Sequence, residues 1–398
     1  MSGNVLFLSH EASRTGAPIL LLNFLRWLHR NRNINMRVLA GKSGDLTAEF
    51  AAIGPVDSFE PSDALWYKAM RRLQLQHRYD SNHLMGLRRT FLSNNIDLIY
   101  VNSVASARML DFLSFVKCPV ICHVHELDDA IHTMGIEHLA LLEKRRPAYI
   151  AVSKAVQKNL VEKYGISPDR IEVIRGCVPG AKERAIEPEQ ARKVIYERIG
   201  ICEQAKLVCA CGSIEFRKGT DLFLKVASQV MQKSHDMPVH FVWVGGTRDK
   251  VAAMQSQVAN SSLRDVVHFV GPTSNTGIYF GAADVFVLTS REDPFPLVVM
   301  EAASHGKPTV CFEQAGGAPE FVEADAGFVV PDLDVAAMAD RIVELLLSRD
   351  LCSRMGAAAH QKVISHYDFD VGAAKLAAII EGKTQGCGDE MRRVILPR

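Results

Sequence analysis

No run in this 398-residue chain approaches the ~20 apolar residues that a bilayer-spanning helix needs. The one apolar run near Met1, Val5 to Leu8, is too short for a signal peptide and has no basic leader. Nine cysteines give an odd count, with no Cys-x-x-Cys and no Cys/His group at zinc spacing, so a disulfide framework and a structural zinc site are excluded. Cys209 and Cys211 stand two apart in an apolar run and belong on one strand face as small hydrophobes. Lys+Arg number 46 against 45 Asp+Glu, a net charge of +1, which argues against a general nucleic-acid binder. The balance is uneven: 22 basic and 17 acidic residues precede Gly180, so that half is +5 and the remainder −4. No Gly-x-Gly-x-x-Gly follows either first strand and no Gly-x-x-x-x-Gly-Lys-Ser/Thr occurs, so the nicotinamide, flavin and P-loop fingerprints are missing. Asp332 and Asp334 form an Asp-x-Asp, but beside a helix start, where Asp334 serves better as an N-cap than as a ligand. These absences leave a globular protein, expected in the cytoplasm.

What is present is alternation. In the first half the strand-like runs are Asn4–His10, Met36–Ala40, Asp97–Ser103, Val120–Glu126, Tyr149–Ser153 and Ile171–Gly176, separated mostly by helical stretches such as Ile19–Arg30. The texture then changes at Val178–Gly200, which is polar and marked by Pro and Gly. The alternation restarts with Lys206–Ser213, Val239–Gly246, Val266–Gly271, Val285–Ser290, Thr309–Phe312 and Gly327–Val330. Length alone favours two domains. The pattern predicts two parallel, doubly wound α/β domains, residues 1–178 and 179–370, with a cleft between them and a C-terminal helix, about 370–398, packing back on the first. Within that last segment, regularity is read to Ile380, and the tail from Lys383 is less regular.

The stretch with the densest chemistry is Leu288–Phe312. It reads as a buried strand to Ser290, an acidic turn through Arg291, Glu292, Asp293, Pro294 and Pro296, a helix carrying Glu301, and a second buried strand. In such sheets ligands bind beyond the carboxyl ends of the strands. A helix starting near Pro296 would leave unpaired N–H groups suited to phosphate or sugar oxygens. The plainer alternative is a helix whose acidic N-terminus complements the macrodipole, with Arg291 as the partner of a carboxylate.

Other strand ends carry candidates. Gly212, then Arg217-Lys218-Gly219 before a helix, offers two cations beside a glycine, an arrangement suited to a diphosphate or, more simply, a solvated basic turn. His10 and Glu11 precede a turn through Gly16-Ala17-Pro18, where glycine lets backbone approach a ligand. His123 and His125 share a strand face ahead of Glu126, a placement that packing or hydrogen bonding would also explain. Gly316-Gly317-Ala318-Pro319-Glu320 adds flexible backbone and one carboxylate. Between Ala64 and Leu92, Lys68, Arg71, Arg72, Arg78, Arg88 and Arg89 interleave with Trp66, Tyr67 and other apolar residues. That stretch fits either an anionic membrane surface or the solvated face of an ordinary helix.

Taken jointly, Asp293-Pro-Phe-Pro-Leu-Val-Val-Met-Glu301-Ala, Gly306-Lys-Pro, Gly316-Gly317…Glu320, Gly327, Arg217-Lys218-Gly219, Gly16-Ala17-Pro18, His125-Glu126 and Ile150-Ala-Val-Ser153 resemble the retaining GT-B glycosyltransferases of family 4. The resemblance covers nearly the whole chain. It implies a GT-B fold, two Rossmann-like domains facing across a cleft, and transfer of a sugar from a UDP- or GDP-linked donor to a glycan or lipid-linked acceptor in cell-surface polysaccharide synthesis. Glu301 would hold the ribose hydroxyls, Asp293 the transferred sugar, and the backbone at Phe295, Pro296 and Leu297 sugar or phosphate. Lys218, with Arg217, would neutralise the diphosphate leaving group; the Gly16 loop would close on the phosphates, and His125 would lie near the transferred sugar. No metal or other cofactor is implied.

Two departures stand out: Asp293 fills a place usually held by Glu, and Ser213 follows Gly212 where the family often has Arg. They keep a non-catalytic nucleotide-sugar or glycan-binding subunit in play beside the transferase, together with a GT-B nucleotide-sugar epimerase. Expected partners are the nucleotide sugar, the acceptor and an anionic membrane surface through residues 64–92, with no nucleic acid.

Overall fold

The structure is a computed structural model that describes residues 3–60, 76–178, 186–234 and 237–395. The chain divides into two compact units. The first comprises Met1–Val152, Val156–Ile174 and Gly372–Arg398; the second comprises Ser153–Ala155 and Arg175–Val371.

The first unit is built on seven strands: β1 (Asn4–Ser9), β2 (Asn35–Ala40), β3 (Val56–Ser58), β4 (Leu98–Asn102), β5 (Val120–Val124), β6 (Ala148–Ala151) and β7 (Ile171–Val173). They form one sheet in the order β3-β2-β1-β4-β5-β6-β7, parallel throughout. Side chains such as Leu6, Phe7, Leu98, Ile99, Ile121 and Cys122 are buried. That follows from a parallel sheet covered by helices on both faces, which is why these strands read as unbroken apolar runs. The short β3 escapes the hydrophobic pattern because its three residues, Val56, Asp57 and Ser58, are only half-buried at the sheet edge.

The second unit repeats the plan with β8 (Lys206–Cys211), β9 (Val239–Val244), β10 (Val267–Gly271), β11 (Val285–Leu288), β12 (Thr309–Phe312) and β13 (Gly327–Val330), ordered β10-β9-β8-β11-β12-β13 and again parallel. Helix Thr220–Lys233 packs Phe223 against Phe241, Trp243 and Phe269, with ring centroids 5.2–6.4 Å apart. In each sheet the winding reverses between a neighbouring pair, β1/β4 in the first and β8/β11 in the second. Such switch points leave a crevice at the carboxyl ends of the strands.

Helix Phe369–Ile395 continues well past the point where the sequence pattern weakens. The irregular tail expected from Lys383 is therefore corrected. The segment has no Pro, and its Gly residues weaken an amphipathic pattern without forbidding helix. Within the first unit Glu381 lies 3.1 Å from Arg32. Among the described residues no helix is long and apolar enough to cross a membrane.

Candidate functional site

The second unit's switch point is assembled from two loops. After β8 the chain turns at Gly212, whose carbonyl accepts from Trp243 Nε1 at 3.1 Å, then makes a short turn, Phe216–Lys218, before helix Thr220–Lys233. Gly219 links the two with φ +69°, and a Cβ there would lie 1.9 Å from the Thr289 carbonyl oxygen, so only glycine fits. The β11 loop closes from the other side. Arg291 N donates to the Arg217 carbonyl at 2.8 Å, Arg217 Nη1 donates to the Glu292 carbonyl at 2.9 Å, and Thr289 Oγ1 donates to the Lys218 carbonyl at 3.3 Å.

Those bonds bring Lys218 Nζ to 2.5 Å from Asp293 Oδ2. The side chains are only 17% and 7% exposed, so the pair is shielded from bulk water. Asp293 is itself pinned through its backbone: its N–H donates to the Ala315 carbonyl at 2.7 Å, and its carbonyl accepts from Gly317 N at 3.0 Å. The partner suggested from sequence, Arg291, is engaged elsewhere. It donates to both carboxylate oxygens of Asp221, at 2.8 and 2.7 Å, and lies 3.8 Å over the Phe216 ring. Arg291 is therefore a brace for the basic loop, because the turn points it back along helix Thr220–Lys233.

Helix Leu297–Ser304 follows, with Pro296 as an N-cap that supplies no side-chain acceptor. Its first two N–H groups, on Leu297 and Val298, have no carbonyl a turn earlier to bond. Phe295 is buried and stacks on Tyr367, centroids 5.9 Å apart, while its ring and Leu297 line the space beside Gly176. The side chains of Phe295 and Leu297 thus hold the turn, and backbone is what the turn presents. Glu301, half-buried one turn on, has its carboxyl pushed up by burial and lies close enough to Cys211, at the end of β8, to raise that thiol. Lys218 acts on Cys211 in the opposite sense. Glu301 and Lys218 therefore converge on one strand end.

In the first unit Gly16 opens helix Gly16–Asn31, and a Cβ on it would meet no atom within 4 Å. Ahead of it, Ser13 Oγ donates to Glu11 Oε1 and lies 3.0 Å from Thr15 Oγ1. His125 follows β5. Its Nε2 is 3.0 Å from Asn102 Oδ1, while Asn102 Nδ2 donates to the Ala17 carbonyl at 3.0 Å. That second bond fixes the amide orientation, so His125 donates from Nε2. Burial, then the neighbouring His10, pushes the His125 pKa down to about 3, and the ring is neutral. His123 lies beside it on the same face, ring centroids 4.1 Å apart and planes tilted by 44°, and its Nδ1 is 2.6 Å from the Tyr100 hydroxyl. Glu126 does not face outward: it accepts from the N–H groups of His125 and Val104, at 2.9 and 3.2 Å, and fixes the turn after β5.

Sequence reasoning did not single out Asn102, the residue that orients His125. Its signal was a lone amide ending the apolar run Leu98–Val101 beside β5. Glu320 was noticed only as a sheet-edge carboxylate; it accepts from Ala155 N at 2.9 Å and sits 3.4 Å from Arg175. Asp334 does cap its helix, accepting from Ala337 N at 2.9 Å. Of the basic 64–92 stretch, residues 64–75 lie outside the described residues, and so does the 179–185 segment at the domain boundary read from sequence. In the part described, Leu87 and Phe91 are buried, Arg88 and Arg89 are exposed, and Arg88 lies 4.6 Å over the Phe115 ring.

Two family models match the chain along its length. Residues 14–179 match "Glycosyltransferase Family 4", and residues 205–348 match "Glycosyl transferases group 1". The chain belongs to glycosyltransferase family 4. Over 230 residues it is 29% identical to a D-inositol 3-phosphate glycosyltransferase of Streptomyces scabiei, covering 56% of this chain and 50% of that one. Over 215 residues it is 28% identical to a GDP-mannose-dependent alpha-(1-6)-phosphatidylinositol monomannoside mannosyltransferase of Mycobacterium tuberculosis, covering 51% and 54%. The chain thus spans about half the length of these curated relatives. Among solved structures, Anabaena HepE in complex with UDP and glucose superposes with a TM-score of 0.77 at 20% identity, covering 95% of this chain and 99% of that one. This family 4 chain accordingly has the GT-B fold, with two Rossmann-like units.

Proposed function

We propose that this family 4 chain is a retaining, metal-independent glycosyltransferase that moves a sugar from a UDP- or GDP-linked donor to a glycan or lipid-linked acceptor. The observation that carries the reading is the shielded Lys218–Asp293 pair at the β8/β11 switch point, with Glu301 converging on the same strand end. The relatives' names point the same way: one uses GDP-mannose, and a structural neighbour holds UDP and glucose.

In this reading the free N–H groups at Leu297 and Val298 and the Arg217 and Lys218 cations receive the donor phosphates, and Glu301 accepts from ribose hydroxyls. Asp293 holds a hydroxyl of the sugar. The bond from the anomeric carbon to the diphosphate oxygen breaks as the acceptor oxygen bonds on the same face. The acceptor proton passes to the departing phosphate. Charge develops on that phosphate in the transition state, so fixed cations there lower the barrier. His125, neutral with Nε2–H committed to Asn102, offers hydrogen bonding to a sugar hydroxyl rather than proton transfer.

A second reading is a non-catalytic nucleotide-sugar-binding subunit. It is favoured by Ser213 following Gly212 and by aspartate at position 293. A thermal-shift panel of UDP-, GDP-, dTDP- and ADP-sugars on wild type and Glu301→Ala tests the site, and acceptor-dependent release of nucleoside diphosphate tests transfer. One nucleotide class should stabilise the wild type but not the variant, and turnover should fall at least about tenfold in the variant. Binding without release across acceptors would select the second reading, and release without acceptor would point to an epimerase. No shift with any donor removes both donor-site readings.

A further inference from the structure

At the amino-terminal ends of β8, β11 and β12, the edge of the second sheet away from the donor loops, there is a cavity of about 250 Å3. Its wall includes Arg192, Lys206, Lys307 and Arg349, against only Asp284 and Glu189. Asp284 is already committed. Its Oδ2 accepts from Leu207 N at 2.8 Å, and its Oδ1 lies 3.3 Å from Arg192 and 3.8 Å from Lys206. Arg349, exposed at the start of helix Arg349–His366, has no ion pair or hydrogen bond among the described residues. Cys352, one helical turn further on, lines the same cavity and donates to the Asp284 carbonyl at 3.4 Å; burial and then Asp284 push its thiol up, with Lys307 and Lys206 opposing. Four cations against two carboxylates leave the concavity at +2. A concave wall with an excess of one sign focuses its field. Gly281 and Gly306 contribute to the wall.

We propose that this cavity is a binding site for a small phosphate-bearing anion, either inorganic phosphate or a short phosphate monoester. The Arg349 guanidinium offers a planar donor fork to phosphate oxygens, while Arg192, whose Nη1 lies 3.3 Å from Asp284 and whose Nη2 donates to the Ala205 carbonyl at 2.6 Å, adds fixed charge together with the two lysines. The site is separate from the donor site. The six residues of β8, at about 3.3 Å each, place the Lys206 end roughly 17–20 Å from the Gly212 end. The proposal therefore stands whether or not the second unit binds a nucleotide sugar.

Cys352 supplies the readout. The intact protein is treated with a neutral alkylating reagent, and modification of the Cys352 peptide is followed by mass spectrometry, with exposed Cys202 as internal reference. Inorganic phosphate and glycerol phosphate are titrated separately, with chloride at matched ionic strength as control. Saturable slowing at Cys352 alone is expected, weakened at least about tenfold in Arg349→Ala and by a smaller factor in Arg349→Lys, which keeps the charge but loses the fork. Protection by the ester alone identifies the ligand as a monoester, and equal protection by both identifies the phosphate group itself. Circular dichroism verifies that the variants fold, as the exposure of Arg349 leads one to expect. No protection by either phosphate, equal protection by chloride, or protection unchanged in Arg349→Ala overturns the proposal.

Discussion

Removing Lys218 should damage the fold as well as any donor site, and the damage should be repairable from the other side of the pair. In Lys218→Met the aliphatic stem is kept and the ammonium lost, leaving the 7%-exposed Asp293 carboxylate without its cation. Breaking a buried pair from one side typically costs 3–5 kcal/mol. Lys218 retains 17% exposure, so about 3 kcal/mol is expected here. Ser290 Oγ, 3.5 Å from the same carboxylate oxygen, is too distant to replace the lost partner. Adding Asp293→Asn removes the orphaned charge, so the double variant should recover about 2 kcal/mol of that loss. Urea denaturation of wild type, both single variants and the double variant gives the coupling energy directly, and a thermal shift with nucleotide sugar reads the site. Donor stabilisation should be absent from the double variant even though its fold is restored. A coupling energy near zero would refute the reasoning, because the pair would then be worth no more than a surface salt bridge.

Gly219→Ala should cost about 3 kcal/mol in the same assay, combining a left-handed backbone angle with a collision at the Thr289 carbonyl. Gly200→Ala, at a similar φ of +71° with no neighbour within 4 Å, should cost only about 1 kcal/mol; equal losses would show that the Thr289 contact does not constrain the loop. Stability should fall on acidification from the ordinary histidine value of 6.5 toward about 3, because the unfolded His125 takes up a proton that the folded residue refuses. His268, lowered by burial to about 4, acts in the same direction. Urea midpoints across that pH range should therefore drop, and His125→Gln should flatten the slope only in part. An unchanged slope would mean that His125 is not held neutral.

The alternation of apolar runs was enough to read the two parallel sheets, since a strand buried on both faces must be apolar throughout. Elements outside that logic were not legible: β3 at an edge, and the last turns of helix Phe369–Ile395, where Gly and charge interrupt the pattern. At the site, residue types at strand ends were legible one by one, but their pairing was not. Lys218 and Asp293 are 75 residues apart, and Arg291, only two residues from Asp293, looked the better partner. The choice is made by the main chain. The Arg291 N–H bonds the Arg217 carbonyl and directs the Arg291 side chain to Asp221, which leaves Lys218 opposite Asp293. No periodicity or spacing within one sequence encodes that bond.

The departure at Asp293 can be argued from the same contacts. The residue is clamped at both its N–H and its carbonyl to the Ala315–Gly317 segment, and a Cβ on Gly317 would come within 2.4 Å of the Pro294 carbonyl oxygen. The backbone therefore has little room to retreat. A glutamate at this position would carry its carboxylate about one methylene further toward Lys218, which already lies 2.5 Å from the aspartate oxygen. Either the lysine or the β8 loop would have to yield, and Gly219, packed against the Thr289 carbonyl, holds that loop in place. The shorter acid is thus matched to the position of this lysine. The distance between two clamped loops, more than the acid's identity alone, decides which carboxylate fits.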